Sequence, residues 1–138
     1  MIIDASILAS FLIKDEFYDL SEKFLREHAG ELKAPDIIIA EVANVIWKHI
    51  VVVRRIPSNL VDDLIDLFYV LVTTIEIYDS LPLLKDAFKI SIDVKISIYD
   101  ALYIALSLNS RDKLATFDRT LFESVRETKY SNLIILLE

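Results

Sequence analysis

Short apolar runs alternate along this chain with longer stretches whose apolar residues recur at helical spacing. "MIID" reads as a first strand, and "SILASFLI" with "EFYDLSEKFLREHA" reads as two helical pieces that end near Gly30. "LKAP" is a second short strand, and Asp36 is placed to cap the helix "IIIAEVANVIWKHIVVV". Pro57 and Ser58 open the helix "NLVDDLIDLFYVL", and the β-rich "TTIEIY" follows it. "SLPLLKDAFKISIDV" predicts a helix with Pro82 in its first turn, and "SIYDALYIALSLNS" predicts another. "KLATF" then reads as a strand, "DRTLFESVRE" as a helix and "NLIILL" as a last strand.

This alternation indicates βαβ units around a mainly parallel sheet with helices on both faces and right-handed crossovers. Leu60, Leu64, Leu67, Phe68 and Leu71 form an apolar stripe that should press one helix face on the core. No repeat, linker or low-complexity run divides the chain, so a single domain over residues 1–138 is expected.

Composition narrows the classes without choosing among them. With 54% hydrophobic residues, the chain has ample material for a core. No charge-free stretch is longer than ten residues, about half the length of a membrane-spanning helix. No basic n-region or cleavage site marks a secretory signal, and the absence of cysteine excludes disulfides and thiolate zinc sites. A cytoplasmic protein with no membrane association is the expectation. A net charge of −7 argues against broad phosphate neutralisation, the usual footprint of a nucleic-acid binder. It leaves open an enzyme that meets phosphate through metal ions.

Four acidic residues stand at strand ends and helix starts: Asp4, Glu41, Asp100 and Asp118. Each has a structural explanation of its own. Asp4 and Asp118 can cap helices, Asp100 can pair with Ser97 in a capping-box-like arrangement, and Glu41 favours the positive end of its helix. Topology adds a second reading. In a parallel α/β sheet every helix begins at the edge where the strands end, so all four groups gather where such folds bind ligands. Two unit charges about 4 Å apart repel by roughly 1 kcal/mol in water and about 4 kcal/mol near a protein surface. An oxygen-only cluster of that kind suits Mg²⁺ or Mn²⁺, and phosphodiester hydrolysis is the simplest chemistry for it.

Other chemistries find less support. His28 and His49 sit in helical stretches without ligand spacing, and both read as structural. A single glycine rules out a P-loop, a dinucleotide fingerprint and a nucleophile elbow. The aromatic residues have core-like spacing, and Lys48, Arg54 and Arg55 read as solvated positions that an RNA backbone could also approach.

"MIIDAS", "APDIIIAEVANVIWK", "SIYDALYIALS" and "LATFDRTL" resemble, in order and spacing, the motifs of the PIN domain, most closely the VapC toxins of type II toxin–antitoxin pairs. The resemblance spans nearly the whole chain. It implies a three-layer α/β/α sandwich around a five-stranded sheet, and an Mg²⁺- or Mn²⁺-dependent endoribonuclease that leaves 5′-phosphate and 3′-hydroxyl ends. It also implies an RNA substrate, a homodimer and a small inhibiting antitoxin. Asp4, Glu41, Asp100 and Asp118 match the family's acidic quartet. Asp4, Asp100 and Asp118 would be metal ligands, and Glu41 would orient or activate water. Ser6 and Thr116 match the hydroxyl residues that hydrogen-bond to these acids. The chain departs from the pattern before its fourth strand, where glycine is usual and "LNSRDK" stands; Asp112 in that loop reads as surface.

Two further readings remain open at this point. A non-catalytic PIN-like module binding RNA or protein would be marked by loss of an acid, and none is lost. A haloacid-dehalogenase-like phosphatase needs a second Asp two positions after its nucleophile, where Ser6 stands.

Overall fold

The computed structural model describes residues 1–138. Five parallel strands form one sheet in the order β3-β2-β1-β4-β5, comprising β1 (Ile2–Ile3), β2 (Lys33–Pro35), β3 (Glu76–Tyr78), β4 (Leu114–Thr116) and β5 (Ile134–Leu136). Helices α1 (Ala5–Ile13) and α2 (Tyr18–Glu27) connect β1 to β2. Helices α3 (Ile37–Trp47) and α4 (Val61–Val72) lead to β3. The return to β4 runs through α5 (Leu84–Val94) and α6 (Ile98–Ser110), and α7 (Arg119–Val125) leads to β5.

The order of strands explains the runs of apolar residues. β1 lies at the centre, with Ile2 paired to both Lys33 and Leu114, so Ile2 and Ile3 are fully buried. From β1 the chain steps outward to β2 and β3, then returns to lay β4 on β1's other side. Right-handed crossovers place the helices of these opposite excursions on opposite faces of the sheet. The reversal creates a crevice between the C-terminal ends of β1 and β4. Helix α6 packs across β1, β2 and β4 and buries every residue from Ala101 to Ser107. Its small Ala101 and Ala105 suit that close packing.

The structure departs from sequence expectations in three places. The helix expected over residues 37–53 stays α-helical only to Trp47, and Lys48–Val52 widen into a π-helical turn. Its β-branched run Ile50–Val53 is poorly suited to a regular helix. The turn ends at Arg54 in the left-handed region, with φ of 56°. Asp36 stands at the N-cap position of α3 but makes no capping bond, because its carboxylate takes the Ser80 hydroxyl instead. On α4 only Phe68 of the expected stripe is buried; Leu64 and Leu71 are half-buried, and Leu60 and Leu67 are exposed.

The loop that departs from the family pattern ends α6 at Arg111, whose φ of 57° supplies the left-handed turn a glycine would adopt without strain. Because α6 carries Asp100, overpacking beneath it should reach the site. We expect Ala105→Leu to lower the unfolding free energy by about 1–3 kcal/mol in urea titrations, and an undiminished value would contradict close packing at this helix.

Candidate functional site

Asp4 leaves β1 and becomes the N-cap of α1, accepting the Ser6 backbone N–H at 3.0 Å. Its side chain is 6% exposed, so both carboxylate oxygens need partners. Ser6 Oγ donates to Oδ1 at 2.5 Å, and the Thr116 hydroxyl donates to Oδ2. Each hydroxyl also accepts a backbone N–H from the turn after β4. Phe117 donates to Ser6 Oγ at 3.0 Å, and Asp118 donates to Thr116 Oγ1 at 2.8 Å. Two hydroxyls thus tie the Asp4 carboxylate to the neighbouring strand end, across the crevice between β1 and β4.

The remaining acids arrive from the other elements at this edge. Asp118 caps α7 by accepting the Leu121 N–H at 2.9 Å, and its side chain is exposed. Asp100 lies in the first turn of α6, where Ser97 Oγ both accepts its N–H at 3.1 Å and donates to its carboxylate at 2.7 Å. Glu41 lies one turn into α3 and accepts the Tyr103 hydroxyl at 2.5 Å. The capping and chemical readings of these acids therefore coexist: the caps fix where the carboxylates sit.

Repulsion links the acids in successive pairs, Asp4 with Asp118, Asp118 with Asp100, and Asp100 with Glu41. Burial pushes the Asp4 carboxyl up to about 6, against its hydrogen bonds, and the charge of Asp118 adds to the rise. Burial also raises Asp100, helped by repulsion from Asp118, and raises Glu41, helped by repulsion from Asp100. None of the four takes part in a salt bridge. No three of them converge on one point from which they could hold an ion together. Mg²⁺ commonly takes one or two carboxylates and completes its shell with water and substrate phosphate, so this unneutralised oxygen donor set fits it.

Asp112 belongs elsewhere. It pairs with Lys33 at 2.8 Å and the N-terminal ammonium at 3.7 Å, and both cations hold its carboxyl below the usual range. His28 is structural, hydrogen-bonded to the Phe24 carbonyl at 3.0 Å and stacked on the Phe24 ring. Lys48, Arg54 and Arg55 are exposed. Tyr103 is the neighbour that spacing rules pass over, because its ring looks like core. It is buried, yet its hydroxyl reaches Glu41, and burial followed by that charge raises its pKa. Its position three residues after Asp100, on the same helix face, was the available signal.

A PIN domain matches residues 1–127. The chain belongs to the PIN-domain family. Over 129 residues, 89% of this chain and 92% of the relative, it is 33% identical to Ribonuclease VapC3 of Pyrobaculum aerophilum, which makes it VapC-like. The crystal structure of PAE2754 from Pyrobaculum aerophilum shares the fold, with a TM-score of 0.68 and 23% identity over 94% of this chain and 86% of that one.

The PIN-domain site carries a testable electrostatic cost. Asp4 binds its proton more tightly in the folded protein, so its contribution to stability falls as pH rises from 3.8 to about 6. Urea titrations in chelator should show wild type losing up to about 3 kcal/mol relative to Asp4→Asn between about pH 4 and pH 7, since Asn keeps the cap. A difference that ignores pH would contradict the buried charge. Thr116→Val should cost about 2 kcal/mol in the same titrations, because it removes a bond to Asp4 and strands the Asp118 N–H.

Proposed function

We propose that this PIN domain is a metal-dependent endoribonuclease of the VapC toxin type. The observation that carries the reading is the unneutralised quartet Asp4, Glu41, Asp100 and Asp118 at the β1–β4 crevice. Capping explains where three of these carboxylates sit, but a binding module has no use for leaving them without a cation, whereas a hydrolase that recruits a divalent ion requires open carboxylates. The VapC-like relative supports RNA as the substrate.

Of Asp4, Asp100 and Asp118, one or two would ligate Mg²⁺ or Mn²⁺ directly and the rest would reach it through bound water. The ion, when bound, supplies a lowered water pKa and positive charge for the phosphate oxygens. The chain's residues supply the rest. Ser6 and Thr116 hold the Asp4 carboxylate in one orientation, and Ser97 does the same for Asp100. Glu41 is the group to orient the attacking water and accept its proton, and its raised pKa suits it to a base's role. Tyr103 positions Glu41 through its hydroxyl.

Partner proteins belong to the same reading. Ile39, Trp47, Val51, Val52, Tyr69 and Val70 are exposed on α3, the π-turn and α4. Exposed apolar surface on this scale supports a protein partner, and the VapC type adds a second copy of the chain and an antitoxin. No helix is long and apolar enough to cross a membrane.

The test is cleavage of a mixed cellular RNA pool by wild type and Asp4→Asn prepared identically, with Mg²⁺, with Mn²⁺ and with chelator. Wild type should cut only with metal, and Asp4→Asn should lose about two orders of magnitude or more, the scale on which enzymes lose rate when a pre-organised charge is removed. Equal cutting by both would assign the activity to a contaminant. Metal-independent RNA binding without cleavage would instead identify a binding module.

A further inference from the structure

A groove leads away from the quartet, and Asp118 is the one member of the four that borders it. A cleft of about 270 Å³ runs from Asp118 to the π-turn, bordered by Ser10, Asp15, Phe17, His49 and Phe117. The Phe17 and Phe117 rings stack at 4.8 Å and give it an aromatic wall. Asp15 is fixed as an acceptor: Ser10 Oγ donates to one oxygen at 3.0 Å and the Phe17 N–H to the other at 2.9 Å.

His49 faces this cleft from the π-helical turn, a helix form often found at functional sites. Its Nδ1 is buried with no hydrogen-bond partner, while Nε2 is accessible and also has none in the protein. A proton on Nδ1 would be a buried donor without an acceptor, so the neutral ring keeps its proton on Nε2. The outcome is a free N–H donor beside an oriented carboxylate acceptor and an aromatic wall, next to Asp118.

We propose that this cleft is a nucleobase subsite adjoining the scissile phosphate, and that His49 and Asp15 select a base whose Watson–Crick edge sets an exocyclic amine beside a ring-nitrogen acceptor, adenine or cytosine. The inference rests on the ribonuclease reading and names how that site chooses its RNA. A phosphate is disfavoured there because Asp15 and Asp118 both border the cleft and would repel it. An amino-bearing base offers a donor to Asp15 and a ring acceptor to His49, and its face can lie against the aromatic wall. Uracil presents a carbonyl where the amine is needed, opposite a carboxylate.

His49 and His28 are the only histidines, so their ring resonances are readily assigned by substitution. In chelator, pentamers of adenylate and of cytidylate should shift the His49 ring signals, leave those of His28 in place, and do so at lower concentration than a uridylate pentamer. With metal, His49→Ala should raise KM for a cleaved RNA by about five- to tenfold with a smaller change in kcat, as loss of one base contact implies. His49→Gln, which retains a donor, should recover part of that loss, and melting curves of both variants check the fold. A wild type that cleaves RNA, while its His49 signals ignore all three pentamers and His49→Ala keeps the wild-type KM, overturns the subsite and leaves the nuclease standing. Equal responses to all three pentamers overturn the amine selection. A wild type that neither cleaves nor binds RNA overturns both readings.

Discussion

The site depends on one buried carboxylate and the two hydroxyls that hold it. Asp4 stands at the end of the central strand, almost without solvent, where an ionised group is tolerated only if the protein replaces the water it has lost. Ser6 and Thr116 do this, and each passes the connection on to a backbone N–H of the β4–α7 turn. The same four hydrogen bonds therefore orient Asp4, close the crevice between β1 and β4, and place Asp118. The hydrogen bonds favour the charged form, yet burial outweighs them and keeps the carboxyl near 6. A carboxylate held at this cost is what the proposed metal-dependent reading requires.

Much of this was legible in the sequence because strand ends and helix starts obey simple rules. The β1 and β4 runs end in acids that must cap a following helix, and a parallel sheet brings those ends to one edge. The short apolar segments gave the strands, since the central ones are buried on both faces. Sequence periodicity was weaker where tertiary surroundings decide the outcome. The β-branched run after Trp47 continues an apolar helical pattern, and nothing in its periodicity announces the π-turn that presents His49. The α4 stripe has a core-facing pattern, yet only Phe68 of it is buried. Tyr103 shows a third limit: a hydropathy pattern reports its ring and says nothing of where its hydroxyl ends.

The glycine-poor composition leaves a further mark. Four helical segments end at lysine or arginine residues in the left-handed region, Lys14, Arg54, Lys95 and Arg111. Two of these bear on the functional edge. Lys14 ends α1 just before Asp15, and Arg54 closes the π-turn that carries His49. Arg55 then donates to the Lys14 carbonyl at 3.0 Å, which links the two borders of the proposed base subsite. These left-handed turns end the two helical segments that flank the groove, while the hydrogen-bonded strand ends set the position of Asp4 and Asp118.

The most direct measurement of the central claim is the melting temperature of wild type and Asp100→Asn with and without Mn²⁺. A ligand that binds the folded form raises its melting point in proportion to that preference. Wild type should gain several degrees with Mn²⁺, and Asp100→Asn should lose most of that gain while melting at or above the wild-type temperature in chelator. Mn²⁺-independent melting of wild type, or an equal gain in the variant, would contradict a carboxylate quartet assembled to hold a divalent ion.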